Sequence, residues 1–151
     1  MSDEERGFRV RALGEIAIRC ADLGSMVAFY RDVIGLEPLP GGSGDGIFFF
    51  RIAPSHGGHF AVLALFEPTA GRREIHPAGP PRPEAGAASS LHHLALVVPA
   101  DEQDAVIGWY ERQGLSYRVE AFDWIGWRGV FTTDPEGNTV ELVAYVGRSE
   151  D

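Results

Sequence analysis

The sequence lacks the basic clusters, long apolar runs and paired cysteines that mark several large classes of protein. Among its 151 residues, 13 Lys and Arg stand against 22 Asp and Glu, a formal net charge of −9. With no basic run, this argues against nucleic acid or an anionic membrane as partner. No apolar stretch is long enough to span a bilayer, and the acidic start, residues 1–6, is unlike a signal peptide. The single cysteine, Cys20, excludes an internal disulfide, so we expect a cytoplasmic protein.

What the sequence does contain is an internal repeat. The first copy opens with a strand pattern at residues 15–19, and the second opens with a similar one at 93–97. An amphipathic helix follows each of them, at about 23–34 and 102–113, and ends at Gly35 or Gly114. Strand patterns at 47–52, 60–66, 129–133 and 139–145 complete the copies. Such self-similarity determines the architecture. Here it predicts two copies of one unit, each with one strand, one helix and several antiparallel strands.

The repeat defines the predicted domain organisation. We expect one domain over residues 1–151, with repeat one at about 12–66 and repeat two at about 91–146. Residues 67–90, rich in Pro, Gly and Ala, cannot hold a strand ladder and predict an exposed linker or a lid. The fold class is therefore α+β.

Three side chains that can bind a metal occupy matching places in the two copies: Glu15, His93 and Glu141. Taken alone, each residue is more simply interpreted as structural, either as a solvated glutamate or as a hydrogen-bonded histidine of a sheet. Strand alternation, however, puts all three on the same face of their strands. Two carboxylates and an imidazole suit Fe(II) or Mn(II), with Ni(II) and Zn(II) as alternatives. The sequence thus predicts a divalent metal site.

Four segments carry a family resemblance. Residues 15–23 and 28–36 resemble the first motif of the vicinal oxygen chelate superfamily, and 91–96 and 134–142 resemble its third and fourth motifs. That superfamily includes glyoxalase I, extradiol dioxygenases, fosfomycin-resistance enzymes, methylmalonyl-CoA epimerase and bleomycin-binding proteins. The resemblance implies two βαβββ units whose sheets form a cup around a divalent metal, with ligands from the first and last strand of each unit.

Carried over by the resemblance, the ligand positions are Glu15, Ala64, His93 and Glu141. Glu15 stands where the superfamily commonly has His, and Ala64 cannot coordinate a metal. The remaining three match the three-ligand pattern of the dioxygenase and fosfomycin-type members. Extradiol enzymes usually place an assisting Tyr where this chain has Phe131, a departure that argues against ring cleavage.

Further residues have both a functional and a structural interpretation. Arg19 shares the face of Glu15 and is expected to pair with it or to hold a substrate anion. Tyr145, on the face of Glu141, is a candidate proton donor or a cap of the cup, and His59 is a second-choice ligand or proton carrier. His92 is expected to point away from His93. Three aromatic residues are candidate walls of a substrate pocket or parts of the core: Trp124, Trp127 and Phe131.

Two functions compete at this stage. The favoured one is a metal-dependent enzyme acting on a small substrate with vicinal oxygens, with extradiol-dioxygenase-like chemistry slightly ahead. The alternative is a metal-free small-molecule binding or antibiotic-resistance protein of the bleomycin type, which suits the charge of −9 and the tryptophans. Unpaired sheet edges predict a homodimer, with each cup formed within one chain or between two.

Overall fold

The structure is a computed structural model and describes residues 6–70 and 91–147. The chain divides into two compact units, each with its own four-stranded sheet. The predicted linker or lid lies outside the described residues from 71 to 90. Within the two described ranges, no helix is long and apolar enough to cross a membrane.

The first unit follows the predicted order of one strand, one helix and three strands. The elements are β1 (Glu15–Arg19), α1 (Leu23–Ala28), β2 (Glu37–Gly44), β3 (Ile47–Pro54) and β4 (Phe60–Phe66). Helix α1 continues as a wider π-helical turn at Phe29–Val33. The sheet has the order β1-β4-β3-β2, in which β1 joins β4 in parallel and the other pairs are antiparallel.

Helix α1 and its π-helical turn together span nearly the range that the sequence predicts for one helix, about 23–34. Asp22 caps its start, since the carboxylate accepts a hydrogen bond of 3.2 Å from the backbone N–H of Ser25. Beyond its end, Gly35 adopts a φ of +84°, a conformation that favours glycine. Met26 and Tyr30 are fully buried and form the face that packs on the sheet.

The strand β2 was not predicted, because its Pro- and Gly-rich sequence is typical of a turn. Its position explains the exception: β2 lies at the edge of the sheet and, among residues 6–70 and 91–147, pairs with β3 alone. An edge strand needs only half of its backbone donors, so proline is tolerated there. The pairing is also interrupted between Pro38 and Ser43.

The second unit repeats the plan of the first. The elements are β5 (Leu94–Val97), α2 (Gln103–Arg112), β6 (Arg118–Phe122), β7 (Trp127–Thr133) and β8 (Thr139–Tyr145). A 3₁₀ turn at Ala100–Glu102 leads into α2. The order of the sheet is β5-β8-β7-β6, with β5 parallel to β8 and the other pairs antiparallel.

Each sheet has one face covered by its helix and one that we call the helix-free face. Strand alternation assigns the fully buried Leu63 and Leu65 to the helix-covered face of the first sheet, and Val130 and Val140 to that of the second. The helix-free face carries the alternate residues: Glu15, Ala17, Phe49, Arg51, Val62 and Ala64 in the first unit, and Ala95, Gly129, Phe131, Glu141 and Val143 in the second.

The two units share one register. Ala17 pairs with Ala64 in the first unit, and Ala95 pairs with Glu141 in the second. Glu15 and His93 each precede those strand positions by two residues, so they are equivalent within their own units. Ala64 therefore stands in the first unit where Glu141 stands in the second, as the repeat in the sequence predicts.

Candidate functional site

The second unit brings together two of the three predicted metal ligands. His93 lies just before β5, and Glu141 lies on the adjoining strand β8. The His93 Nε2 and Glu141 Oε2 atoms are 3.2 Å apart. Glu141 is only 5% exposed, and burial raises the pKa of its carboxyl group, an effect that the neighbouring His93 partly opposes. A cation close to Glu141 would therefore stabilise the ionised form of this buried carboxyl group.

A glycine that the sequence did not single out makes room for that carboxylate. Gly129 lies on β7, on the same helix-free face, opposite Val143. A Cβ atom at this position would overlap Oε1 of Glu141 and would lie 2.7 Å from a ring carbon of Phe131. Gly129 therefore forms a cradle for the carboxylate. The sequence analysis missed Gly129 because its role depends on which residue of the neighbouring strand lies beside it, and the sequence alone does not show this.

His92 also belongs to this group, although strand alternation predicted that it points away. The Nδ1 atoms of His92 and His93 are 2.8 Å apart, so one ring donates a hydrogen bond and the other accepts it. The prediction was wrong because both residues precede β5, where strand alternation does not apply. The result is a hydrogen-bonded series from His92 through His93 to Glu141, which fixes the orientation of the His93 ring.

Phe131 connects this group to a groove on the same sheet. It pairs directly with Glu141, and its ring contacts the His93 ring edge-on, with centroids 6.2 Å apart. A second edge contact, at 6.3 Å, joins it to Phe122. Phe131 also lines an open cavity of about 490 Å³. The other lining residues are Ser116, Tyr117, Arg118, Glu120, Thr132, Thr133 and Thr139.

The remaining predicted residues of the second unit lie apart from this cavity. Trp127 and Tyr145 face each other across β7 and β8, and Tyr145 is 67% exposed. Trp124, in the turn before β7, is 76% exposed. None of the three lines the cavity beside Phe131. Trp127 and Tyr145 lie at the opposite end of β7 and β8 from the cavity-lining Thr133 and Thr139.

In the first unit, the structure gives Arg19 a partner other than the predicted Glu15. Its Nη1 donates to three backbone carbonyls that follow β4, those of Glu67, Pro68 and Ala70, at 3.2, 2.8 and 2.9 Å. Arg19 thus fastens the chain where it leaves the sheet. Glu15 is exposed on β1.

His59 lies in the turn between β3 and β4. Its Nδ1 donates to the carbonyl oxygen of Phe60 at 2.6 Å. A Cβ atom at Gly14 would lie 3.3 Å from its ring, so His59 packs beside the residue that precedes Glu15. His59 is therefore held close to the start of β1.

The chemistry of the donor set fits a divalent metal at His93 and Glu141. Two ligand atoms bound at right angles, each about 2.1 Å from an ion, lie about 3.0 Å apart. The separation of 3.2 Å between Nε2 and Oε2 is close to that spacing, and the Gly129 cradle leaves the carboxylate free to face the imidazole. Within residues 6–70 and 91–147, no three acidic, histidine or cysteine side chains come together in a group that could hold a metal.

Comparisons with known proteins agree with this architecture. A sequence profile described as the Glyoxalase/Bleomycin resistance protein/Dioxygenase superfamily matches residues 12–142. A search of curated proteins finds no match. Among solved structures, a lactoylglutathione lyase from Agrobacterium tumefaciens is 30% identical, with 88% of this chain and 92% of that chain covered and a TM-score of 0.57.

Two further solved structures share the fold at lower identity. A glyoxalase/dioxygenase from Nostoc punctiforme is 21% identical, covers 88% of this chain and 90% of its own, and has a TM-score of 0.61. The fosfomycin resistance protein FosX from Listeria monocytogenes is 17% identical, covers 90% and 94%, and has a TM-score of 0.59. Since the profile spans most of the chain, the protein belongs to the glyoxalase/bleomycin resistance protein/dioxygenase superfamily.

Proposed function

We propose that the protein is a divalent-metal-dependent enzyme acting on a small substrate that presents two vicinal oxygens. The observation that carries this proposal is the His93–Glu141 pair, an imidazole nitrogen and a buried carboxylate oxygen 3.2 Å apart. Burying an ionised carboxylate is unfavourable unless a cation or hydrogen bonds compensate. A metal ion held by both atoms supplies that compensation.

The protein residues have separate roles in this proposal. His93 and Glu141 hold the metal, Gly129 leaves space for the carboxylate, and His92 fixes the ring of His93 through the Nδ1 contact. Phe131 shields the pair from water on the side of the cavity. The metal, when bound, polarises the substrate oxygens as a Lewis acid. We retain Glu15 as the third ligand, on the ground of its repeat-equivalent register.

The type of reaction depends on which metal binds. Fe(II) or Mn(II) remains our first choice because the three proposed ligands are two carboxylates and one imidazole. Fe(II) favours oxygenase chemistry, which we place slightly ahead of the other reactions. In this chain Phe131 stands where extradiol enzymes usually have an assisting tyrosine. A redox-inert ion such as Zn(II), or Ni(II), favours isomerase or lyase chemistry, and the 30% identical structure is that of a lactoylglutathione lyase.

Calorimetric titration of the chelator-treated protein tests the proposal. Fe(II), Mn(II), Ni(II) and Zn(II) are added in turn to the wild type, to His93→Ala and to Glu141→Gln. We expect one ion per chain in the wild type, with affinity at least tenfold lower in both variants. His56→Ala, which changes an exposed histidine in a turn, is the matched control and keeps wild-type affinity. Equal affinity in all four proteins, or no binding to the wild type, refutes the metal site.

The rival proposal is a metal-free protein that captures a cationic aromatic compound. It is favoured by the net charge of −9 and by the exposed rings of Trp124, Trp127 and Tyr145. Tryptophan fluorescence, read while a cationic aromatic dye is added, distinguishes the two. Metal-independent quenching that Trp127→Ala abolishes, together with a failed metal titration, supports the binding protein instead of the enzyme.

For the assembly and location of the protein, we propose a cytoplasmic homodimer. The single cysteine, Cys20, is buried, and each described sheet ends in edge strands that pair on one side only. Sedimentation equilibrium gives the mass directly: about twice the 16.4 kDa of one chain is expected. A monomer at micromolar concentration overturns this part of the proposal.

A further inference from the structure

The adjacent residues His92 and His93 are joined by a hydrogen bond whose direction is not fixed by the two rings themselves. Their Nδ1 atoms are 2.8 Å apart, which is a hydrogen-bond distance. Two lone pairs or two N–H groups that face each other so closely repel. In a pair of neutral imidazoles, one Nδ1 atom therefore carries a proton and the other accepts it. The bond can run from His92 to His93 or from His93 to His92.

In the protein without metal, Glu141 determines that direction. The Nε2 atom of His93 lies 3.2 Å from Oε2 of Glu141, and an ionised carboxylate only accepts hydrogen bonds. The neutral ring of His93 therefore carries its proton on Nε2 and accepts a hydrogen bond at Nδ1. It follows that His92 carries its own proton on Nδ1 and donates it to His93.

A metal ion bound by His93 requires the opposite arrangement. An imidazole nitrogen binds a metal through its lone pair, so Nε2 of His93 must give up its proton. The proton of this ring then belongs on Nδ1, which becomes the donor, and Nδ1 of His92 becomes the acceptor. His92 in turn carries its proton on Nε2. Because His92 is exposed, water can supply that proton.

We propose that His92 is a positioning residue whose tautomer reverses when the metal binds. One proton passes from Nδ1 of His92 to Nδ1 of His93, the Nε2 proton of His93 leaves to water, and Nε2 of His92 takes one proton from water. Each ring stays neutral with one proton, and only the direction of the bond between the rings changes. The reversed bond holds His93 in the tautomer that leaves Nε2 free to bind. The inference rests on the proposed function for the presence of the metal.

NMR of the isotope-labelled imidazole nitrogens tests the reversal, because protonated, unprotonated and metal-bound nitrogens differ in chemical shift. Spectra are recorded at about pH 8, above the range in which imidazoles usually titrate, before and after addition of the diamagnetic Zn(II). Without metal, we expect the protons on Nδ1 of His92 and Nε2 of His93. With metal, we expect them on Nε2 of His92 and Nδ1 of His93. The signals that disappear in His92→Asn and in His93→Ala assign the two rings.

Metal affinity measures what the acceptor on His92 contributes. His92→Leu removes the acceptor for the Nδ1 proton of His93, and we expect affinity for Zn(II) to fall about tenfold or more in calorimetry. In His92→Asn the amide oxygen can take the place of Nδ1 and accept the same bond, so most of the affinity returns. His56→Leu, which replaces an exposed histidine of a turn, is the matched control and should bind as the wild type does. Circular dichroism melts establish that each variant is folded.

The outcomes distinguish this inference from the proposed function. Binding of Zn(II) that leaves the tautomer of His92 unchanged refutes the reversal and keeps the metal site. A proton on Nδ1 of His93 before metal is added refutes it equally, without any metal being involved. Equal affinity of His92→Leu and the wild type refutes the positioning role. A wild type that does not bind Zn(II) overturns the inference, and the titration with the other ions then decides the function.

Discussion

At the scale of single residues, the site is governed by how one carboxylate is accommodated. The internal repeat predicted that Glu141 and His93 belong to one site, and their side chains do meet. The same reasoning could not find Gly129, because its contribution is the absence of an atom on a neighbouring strand. Nor could it find the contact of His92, which depends on the backbone before β5. The periodicity along a strand therefore predicts which face of the sheet a side chain points to. Contacts between strands can be found only when the register of the strands in the folded protein is known.

Gly129→Ala tests the carboxylate cradle. The added methyl group would overlap Oε1 of Glu141 and displace the carboxylate from its position facing His93. We expect destabilisation of about 1–3 kcal/mol from overpacking, and weaker metal binding in calorimetry. Gly108→Ala, within helix α2 of the same unit, is the control and should stabilise by up to about 1 kcal/mol. Wild-type metal affinity in Gly129→Ala would rule out the cradle.

Tyr110→Phe tests a buried hydroxyl group. The Tyr110 side chain is 1% exposed, its hydroxyl has no hydrogen-bond partner within the described residues, and burial raises its pKa to about 12. An unsatisfied buried hydroxyl costs about 1–3 kcal/mol, so its removal should increase the free energy of unfolding at pH 7. Urea unfolding of Tyr110→Phe and of the exposed Tyr145→Phe, which should not change, measures the effect.

The pKa of Tyr110 also predicts how stability changes at alkaline pH. Between pH 10 and 12 the unfolded state releases this proton while the folded state keeps it, so stability falls as the pH rises through that window. Two pH units correspond to roughly 2–3 kcal/mol. The sequence contains no lysine, which reduces competing titrations in this range. Tyr110→Phe should lose less stability than the wild type, and parallel losses would contradict the assignment.

At the scale of secondary-structure elements, local sequence was informative where patterns were regular. The predicted strands 60–66 and 139–145 match β4 and β8, since both lie inside their sheets and are strongly apolar. Of the four edge strands, β1 and β5 were predicted, whereas β2 and β6 were not singled out. An edge strand is only half constrained by pairing, so its composition is dominated by other demands. Sequence thus predicts the centre of each sheet better than its edge.

The attachment of helix α2 to its sheet depends on one buried amide. Gln103 is fully buried, and its Nε2 donates to the backbone carbonyls of Arg128, at 2.7 Å, and Leu142, at 3.2 Å. Gln103→Ala leaves both carbonyls without this donor and opens a cavity, so we expect a loss of about 2–4 kcal/mol. Chemical denaturation measures it, with the exposed Gln113→Ala as control. A loss below that of the control variant would show that the amide is not structurally important.

At the scale of the whole molecule, the chain consists of two units that carry the same register and different side chains. The repeat predicted this organisation because a duplicated unit repeats its apolar pattern. It did not predict the different tasks of the matching residues: His93 meets a carboxylate in its own unit, whereas Glu15, its equivalent, has only Ala64 at the corresponding place. Function is therefore read from the sites of each unit, not from the shared fold.

Hydrogen exchange with and without metal shows which units take part in binding. At about 100 times Kd, a bound ligand stabilises by about 2.7 kcal/mol. Exchange should slow in β5, which directly follows His93, and in β8, which carries Glu141. If Glu15 is the third ligand, β1 is also protected, and Glu15→Gln removes the protection of β1 alone. Protection of β5 and β8 without β1 would remove Glu15 from the ligand set.

The shared register constrains the evolutionary routes by which the duplicated halves could regain identical ligands. Phe49 stands opposite Ala64 as Phe131 stands opposite Glu141, but the equivalent of Gly129 in the first unit is Ile47, which pairs with Phe66. A lone Ala64→Glu mutation would meet a side chain where Glu141 meets open space. Restoring symmetry thus requires Ile47→Gly as well, and we expect either substitution alone to destabilise the first unit, by overpacking or by leaving a cavity. Such epistasis would oppose any return of the two halves to identical ligands.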